Sequence, residues 1–198
     1  MRELLIDADI FVYKATRLSE REINWGDDSW TLHCDLAEVK TLIDNQIWKV
    51  QEGTQADKIL LCFTHKKNFR KETYPYKIYE WLEADDVIGI LATEKSKDER
   101  IIVSEDKDLL TIPGLHWDFK EEKVFKWKDK DADYKFFYQS LVGDSTDHYK
   151  GCQGIGPISA GKILDGNTGS VLDMWEHVLE AFIKSGQGEK EAIRNCRM

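Results

Sequence analysis

Apolar residues along this chain recur with two alternating periods. Leu4-Leu5-Ile6 is a short continuous run that ends at Asp7-Ala8-Asp9, and Ile10, Phe11 and Tyr13 continue at helical spacing. That is the pattern of a buried strand running into a helix. Residues 19–29, with Asn24, Gly26 and Asp27-Asp28, read as a loop or irregular hairpin. From Trp30 to Val50, the residues Leu32, Leu36, Val39, Ile43, Ile47 and Val50 recur every three or four places and predict an amphipathic helix. Lys58 to Phe63 predicts a second buried strand, Ala84 to Ser96 a helix, and Arg100 to Val103 a third strand. Later come two shorter strands (Leu115 to Asp118, Val124 to Trp127), a helix from Tyr134 to Val142, a glycine-rich turn between helices from Gly151 to Leu164, and a helix from Ser170 to Lys184.

Strand and helix alternate in the first half and helix prevails in the last quarter. The expected fold is therefore α/β, a mostly parallel central sheet flanked by helices, with a C-terminal helical subdomain. The expected division is residues 1–142 as the α/β core and 143–198 as the helical subdomain packed on it.

Composition adds little until charge is considered. The 198 residues are 41% hydrophobic and 33% charged, a globular balance. No apolar run approaches the roughly 18 residues of a membrane span, so no membrane partner is expected. Cys34, Cys62, Cys152 and Cys196 stand far apart without a C-x-x-C pair and read as thiols of a reducing, cytoplasmic compartment. The seven tryptophans read mostly as core, with Trp81 a candidate for stacking on a base. A net charge of −9 argues at first against a nucleic-acid partner. Placement matters more than the total, because acids converging on cations have their local sign reversed.

The acids do cluster, at Asp7 and Asp9, at Glu83, Asp85 and Asp86, at Asp106 and Asp108, and at Asp144 and Asp147. Three of these groups fall at predicted strand ends or helix starts, which an open α/β sheet gathers outside the carboxyl ends of its strands. Any one group alone reads more simply as helix capping. Jointly they would repel strongly in one cleft unless cations neutralised them. Hard oxygen ligands suit Mg²⁺ or Mn²⁺, one ion or two, and such ions serve phosphoryl chemistry.

At these same residues the chain resembles the 5′-nuclease superfamily, which includes flap endonucleases, the 5′-nuclease domain of bacterial DNA polymerase I and bacteriophage 5′-3′ exonucleases. The phage exonucleases are the most similar group. The matching stretches are LLIDADIFVYKA from Leu4, NFRKETYPYK from Asn68, LEADDVIGILA from Leu82, SEDKDLLTIPG from Ser104 and LVGDSTDHYKGCQGIGPISAGKIL from Leu141. The resemblance implies a PIN-like or resolvase-like core with a helix–two-turn–helix subdomain. It implies a monomeric nuclease acting on duplex DNA with a 5′ end or flap, in phage replication or genome processing and so in a host cytoplasm. Asp7, Glu83, Asp85 and Asp86 would hold one metal neighbourhood, and Asp106, Asp108, Asp144 and Asp147 the other. Lys77 and Arg70 match basic residues near the scissile phosphate, and Tyr76 a position contacting the nucleotide end. Gly151, Gly154, Ile155, Gly156 and Ser159 match the turn that grips duplex backbone through main-chain amides, with K⁺ as a companion ion. Lys66 and Lys67 extend a basic track.

Three departures stand out. After the second strand the family places an aspartate, where this chain reads Phe63-Thr64-His65. The family also carries a basic helical arch between the Y-K and E-A-D-D motifs, where only Ile78 to Leu82 intervene here. The chain ends at Met198, early for the family. Two rival readings remain. One is a haloacid-dehalogenase-like phosphatase, which opens with D-x-D and closes with an acidic motif like Gly143 to Asp147. The other is a non-catalytic or impaired DNA-binding relative.

Overall fold

The structure is a computed structural model that describes residues 1–64, 82–145, 149–165 and 170–197, together with the backbone of Tyr76 and Lys77. It divides into two compact units. The first comprises residues 1–109 and 114–126, and the second comprises residues 110–113 and 127–198.

The first unit is built on strand β1 (Arg2–Asp7). Leu4, Leu5 and Ile6 are wholly buried, as a strand covered on both faces requires. Helix α1 (Ala8–Ser19) starts without a break, because Asp7 is both the last strand residue and the helix N-cap. A hairpin of β2 (Arg21–Gly26) and β3 (Ser29–His33) follows, then α2 (Leu36–Thr54) and β4 (Lys58–Cys62). Beyond these come β5 (Tyr76–Lys77), α3 (Ala84–Thr93), β6 (Glu99–Val103), β7 (Gly114–Asp118) and β8 (Lys123–Trp127). The sheet order is β5-β4-β1-β6-β7-β8, with β1 pairing β4 and β6 in parallel, and β5 and β7 parallel to their inner neighbours. One core cluster joins Leu4 and Ile6 to Phe11, Ala15, Val39, Ile43, Ile47 and Val50 of α1 and α2.

The predicted helix from Trp30 begins only at Leu36. Asp27 and Asp28 both take left-handed backbone (φ 49° and 57°), the conformation of a tight hairpin turn, so Ser29 to His33 return as a strand. Asp35 then starts the helix by accepting the Glu38 N–H at 2.9 Å. Trp25 and Trp30 on this hairpin, and Trp48 on the outer side of α2, are exposed rather than core. Trp117 is 4% exposed and packs across Gly53 of α2.

The second unit holds α4 (Asp129–Val142), α5 (Pro157–Asp165), α6 (Val171–Lys184) and α7 (Gly188–Asn195). Its core gathers Phe137, Leu141, Ala160, Leu164, Met174, Val178, Phe182 and Ala192. The division therefore falls before α4, not after Val142 as the sequence suggested. The reason is packing, since α4 presents Phe137 and Leu141 to α5, α6 and α7. No helix among the described residues is long and apolar enough to cross a membrane.

A methyl group at Gly53 would lie 2.5 Å from the buried Trp117 ring. Gly53→Ala should thus destabilise the fold by roughly 1–3 kcal/mol through overpacking, although alanine in an open helix would stabilise it by about 1 kcal/mol. Urea unfolding of the two proteins checks the sign.

Candidate active site

Strands β4, β1 and β6 end side by side at Cys62, Asp7 and Val103. The chain order reverses at β1, with β4 and β5 laid to one side and β6 and β7 to the other. Such a reversal opens a crevice at the carboxyl ends of the strands. Asp7 stands at that reversal and is only 5% exposed.

Its carboxylate is held from two sides. Oδ1 accepts the Ile10 N–H at 3.4 Å, and Oδ2 accepts the Ser104 hydroxyl at 2.8 Å. Burial pushes the Asp7 carboxyl above its ordinary range, and the negative charges of Asp9 and Asp106 add to this, while the two hydrogen bonds pull the other way. Ser104 also accepts the Asp106 N–H at 3.0 Å, so one hydroxyl ties the end of β1 to the acidic loop after β6. Asp106 Oδ1 in turn accepts the Asp108 N–H at 2.9 Å, which starts the short 3-10 turn Asp108–Thr111.

The third acidic group opens α3. Asp86 accepts the Glu83 N–H at 3.2 Å, closing a capping box, and Asp85 Oδ1 accepts the Asp86 N–H at 2.8 Å. Asp85 is half-buried and its carboxyl is raised, first by burial and then by the charges of Asp86 and Asp106. Asp106 thus acts on both Asp7 and Asp85, which places the ends of β1, β6 and the start of α3 within one electrostatic field.

Thr64, which with His65 stands at the place where the family resemblance expects an acid, is a cross-link. Its N–H donates to Asp9 Oδ2 and its hydroxyl accepts the Ala84 N–H, both at 2.9 Å. The pair fixes the start of α3 against α1. Sequence reasoning counted Asp9 only among the clustered acids and gave no role to Ser104 or Thr64. The available signal was a hydroxyl or carboxylate just past each strand, where side chains reach free backbone amides. Cys62 is buried beside these acids, and burial first, then the Asp7, Glu3 and Asp9 charges, push its thiol up to about 12. It supplies no nucleophile at neutral pH.

Of the expected ligands, Asp7, Glu83, Asp85, Asp86, Asp106 and Asp108 fall in the first unit, Asp144 falls in the second, and Asp147 lies outside the described residues. Among the described residues no three acids, histidines or cysteines form a group that could hold an ion as they stand. The reason is that Asp9, Asp85, Asp86 and Asp106 each turn toward a backbone N–H. The donor chemistry still fits a hard divalent cation, because desolvated, mutually repelling carboxylates gain most from one.

Asp144 lies in the second unit, its backbone paired with Tyr149. Gly151, Gly154, Ile155 and Gly156 form a turn leading into α5, and Ser159 is exposed in the first turn of that helix. Added Cβ atoms at Gly154 and Gly156 would meet nothing within 4 Å, so that edge of the turn is open. Asp147, His65, Lys66, Lys67, Arg70 and Trp81 lie outside the described residues, as do the side chains of Tyr76 and Lys77.

Because the Asp7 carboxyl is raised in the fold, its ionisation opposes folding: stability is greatest below the unfolded value and falls as pH rises through the folded one. In chelator, Asp7→Asn should raise the melting temperature at neutral pH, with the gain shrinking as pH falls through the raised folded value and gone below the unfolded value of about 4. Melting curves across that range check it. Thr64→Val should lower stability by about 1 kcal/mol through loss of the Ala84 N–H contact, and Thr64→Ser should restore it. Thermal or urea unfolding distinguishes the pair.

No family model matches the sequence. The exodeoxyribonuclease of Enterobacteria phage T3 is 27% identical over 222 residues, covering 93% of this chain and 72% of that protein. The exonuclease of Escherichia phage T7 is 26% identical over 190 residues, covering 77% and 63%. The chain thus spans less than two thirds of the second relative. Among solved structures, a variant of the T5 5′-exonuclease superposes with TM-score 0.66 at 15% identity, covering 98% of this chain and 86% of that one. The T5 D15 flap endonuclease, crystallised as a pseudo-enzyme–product complex with DNA and metal ions, gives 0.63 at 13% identity and covers 99% and 88%. At such identities these likenesses speak to the fold, and the mostly parallel α/β sheet is the one they share. Sequence and fold together relate this chain to the 5′-nuclease superfamily, in which phage exonucleases and flap endonucleases stand.

Proposed function

We propose that this chain is a metal-dependent 5′-3′ exonuclease and flap endonuclease that hydrolyses DNA phosphodiesters. The observation that carries the reading is the placing of Asp7, the Asp106 loop and the acidic start of α3 at the strand-order reversal, the first two tied by the Ser104 hydroxyl. There burial first and neighbouring charges second raise the buried Asp7 and half-buried Asp85 carboxyls. Asp7, Asp85, Asp86 and Asp106 would hold Mg²⁺ or Mn²⁺, with Glu83 and Asp108 beside them. Asp144 and Asp147 join that assignment through their sequence motif alone. When bound, the ion activates water and stabilises the leaving oxygen of the broken phosphodiester.

The chain's own groups bind and orient. Ser104 keeps Asp7 and the Asp106 loop in fixed relation, and the Asp9–Thr64–Ala84 link holds the acids of α3 in place. Lys77 and Arg70 are assigned to the scissile phosphate, and Tyr76, Lys66 and Lys67 to the approaching strand. The open glycine turn presents main-chain N–H groups to duplex backbone. K⁺ at that turn belongs to the same proposal, as do a monomeric state and a host-cytoplasm location. Five residues, Ile78 to Leu82, separate Lys77 from Glu83, too few to build an arch that closes over a single strand.

Excess chelator should abolish cleavage of a 5′-labelled duplex. Asp106→Ala should lower turnover at least a hundredfold while changing duplex affinity less than threefold, the mark of a group that serves the transition state. Undiminished cleavage in chelator, or turnover of p-nitrophenyl phosphate without DNA cleavage, would sink the reading in favour of a phosphatase. Duplex binding without product would mark a binding-only relative. In competition, a long 5′ flap and a blunt duplex should be cut at comparable rates. A strong flap preference abolished by a bulky 5′ adduct would show that threading occurs despite the short connection.

A further inference from the structure

The glycine turn of the second unit is held from behind by two neutral amide side chains near the end of the chain. Asn195, the last residue of α7, is 8% exposed. Its Oδ1 accepts the Gly151 N–H at 3.0 Å and its Nδ2 donates to the Glu191 carbonyl at 2.8 Å, so both ends of the amide are used. Gln187, in the link between α6 and α7, reaches the same turn. Its Oε1 accepts the Gln153 N–H at 2.6 Å and the Ser185 hydroxyl at 2.8 Å, while its Nε2 donates to the Gly151 carbonyl at 3.3 Å. Both main-chain groups of Gly151 and the N–H of Gln153 are therefore bound by side chains far along the sequence.

The turn has no slack on its inner side. A Cβ at Gly151 would lie 2.4 Å from the Leu141 carbonyl and 2.5 Å from the Gly143 nitrogen. Both glycines hold left-handed backbone, with φ 66° at Gly151 and 77° at Gly143. On the outer side the N–H groups of Gly154 and Gly156 donate to nothing among the described residues. The cleft there is lined by Lys150, Gly154, Gly156 and Gln187.

We propose that Gln187 and Asn195 are positioning residues that preorganise the Gly151–Gly156 turn, so that the N–H groups of Gly154 and Gly156 meet a DNA backbone phosphate without reordering. The inference rests on the reading of this chain as a DNA nuclease and deepens it. An amide is the fitting group, because it offers donor and acceptor together and adds no negative charge beside a phosphate. An aspartate or glutamate would accept the same N–H bonds while repelling the ligand.

Gln187 is half-buried, so Gln187→Met can remove both contacts with the turn, and the one with Ser185, at similar volume without opening the core. In the full-length chain this variant should raise KM for a short duplex, and Kd measured by anisotropy, about tenfold, as expected for two or three lost hydrogen bonds. Its kcat should stay within about twofold. Gln187→Glu should also weaken binding, most at low salt, where the new charge is least screened. Asn195→Asp, which keeps the acceptor for Gly151, should fall between wild type and Gln187→Met. Wild-type KM and Kd in Gln187→Met would overturn the proposal, as would loss of kcat in step with a fall in melting temperature. Wild-type protein that neither binds nor cuts the duplex would instead remove the nuclease reading, and this proposal with it.

Discussion

A carboxylate stands at the carboxyl end of a strand whose preceding three residues are wholly buried, and the arrangement of the first unit follows from keeping it there. Asp7 cannot be moved without moving β1, because Leu4, Leu5 and Ile6 are packed on both faces and hydrogen-bonded to β4 and β6. The same residue caps α1. Burial makes the charge unfavourable, and the surrounding hydrogen bonds offset that only in part. The fold thus keeps an electrostatic cost at the end of its central, fully buried strand. Such stored cost is a frequent mark of a functional site, where strain and repulsion persist because the surrounding structure over-determines them.

Within the first unit, short polar links fix the Asp106 loop and the acidic start of α3 on top of the sheet pairing. Ser104 joins β1 to the Asp106 loop, and Thr64 joins α1 to the start of α3. Each link spends a small side chain on a backbone amide that a strand end or helix start leaves without a partner. The acids are consequently aligned by their backbones while their side chains stay turned to nearby N–H groups.

The second unit solves a different problem by close backbone packing. Gly143 and Gly151 press together where no side chain fits, and Leu141 and Cys152 are joined by a 2.8 Å hydrogen bond across that contact. The apolar faces of α4 to α7 close around one core, and the edge of the turn at Gly154 and Gly156 stays open. Neutral amides complete the scaffold where a charge would have disturbed it.

Much of this was legible in the chain itself. The runs Leu4 to Ile6, Ile59 to Phe63 and Ile101 to Val103 specify buried strands, and the acids that follow the first and third of them foretell a crevice lined by carboxylates, because strand ends in a parallel sheet share one edge. The motifs from Glu83, Asp106 and Asp144 carry the family resemblance. Periodicity could not tell that Trp30 and Leu32 belong to an exposed hairpin, since apolar spacing does not reveal whether a face finds a partner. Nor could it place α4 in the second unit, which only the packing of Phe137 and Leu141 decided. The roles of Ser104, Thr64, Gln187 and Asn195 are likewise tertiary. Each has a partner that is distant in sequence, and hydrogen bonds of that kind leave no periodic trace along a chain.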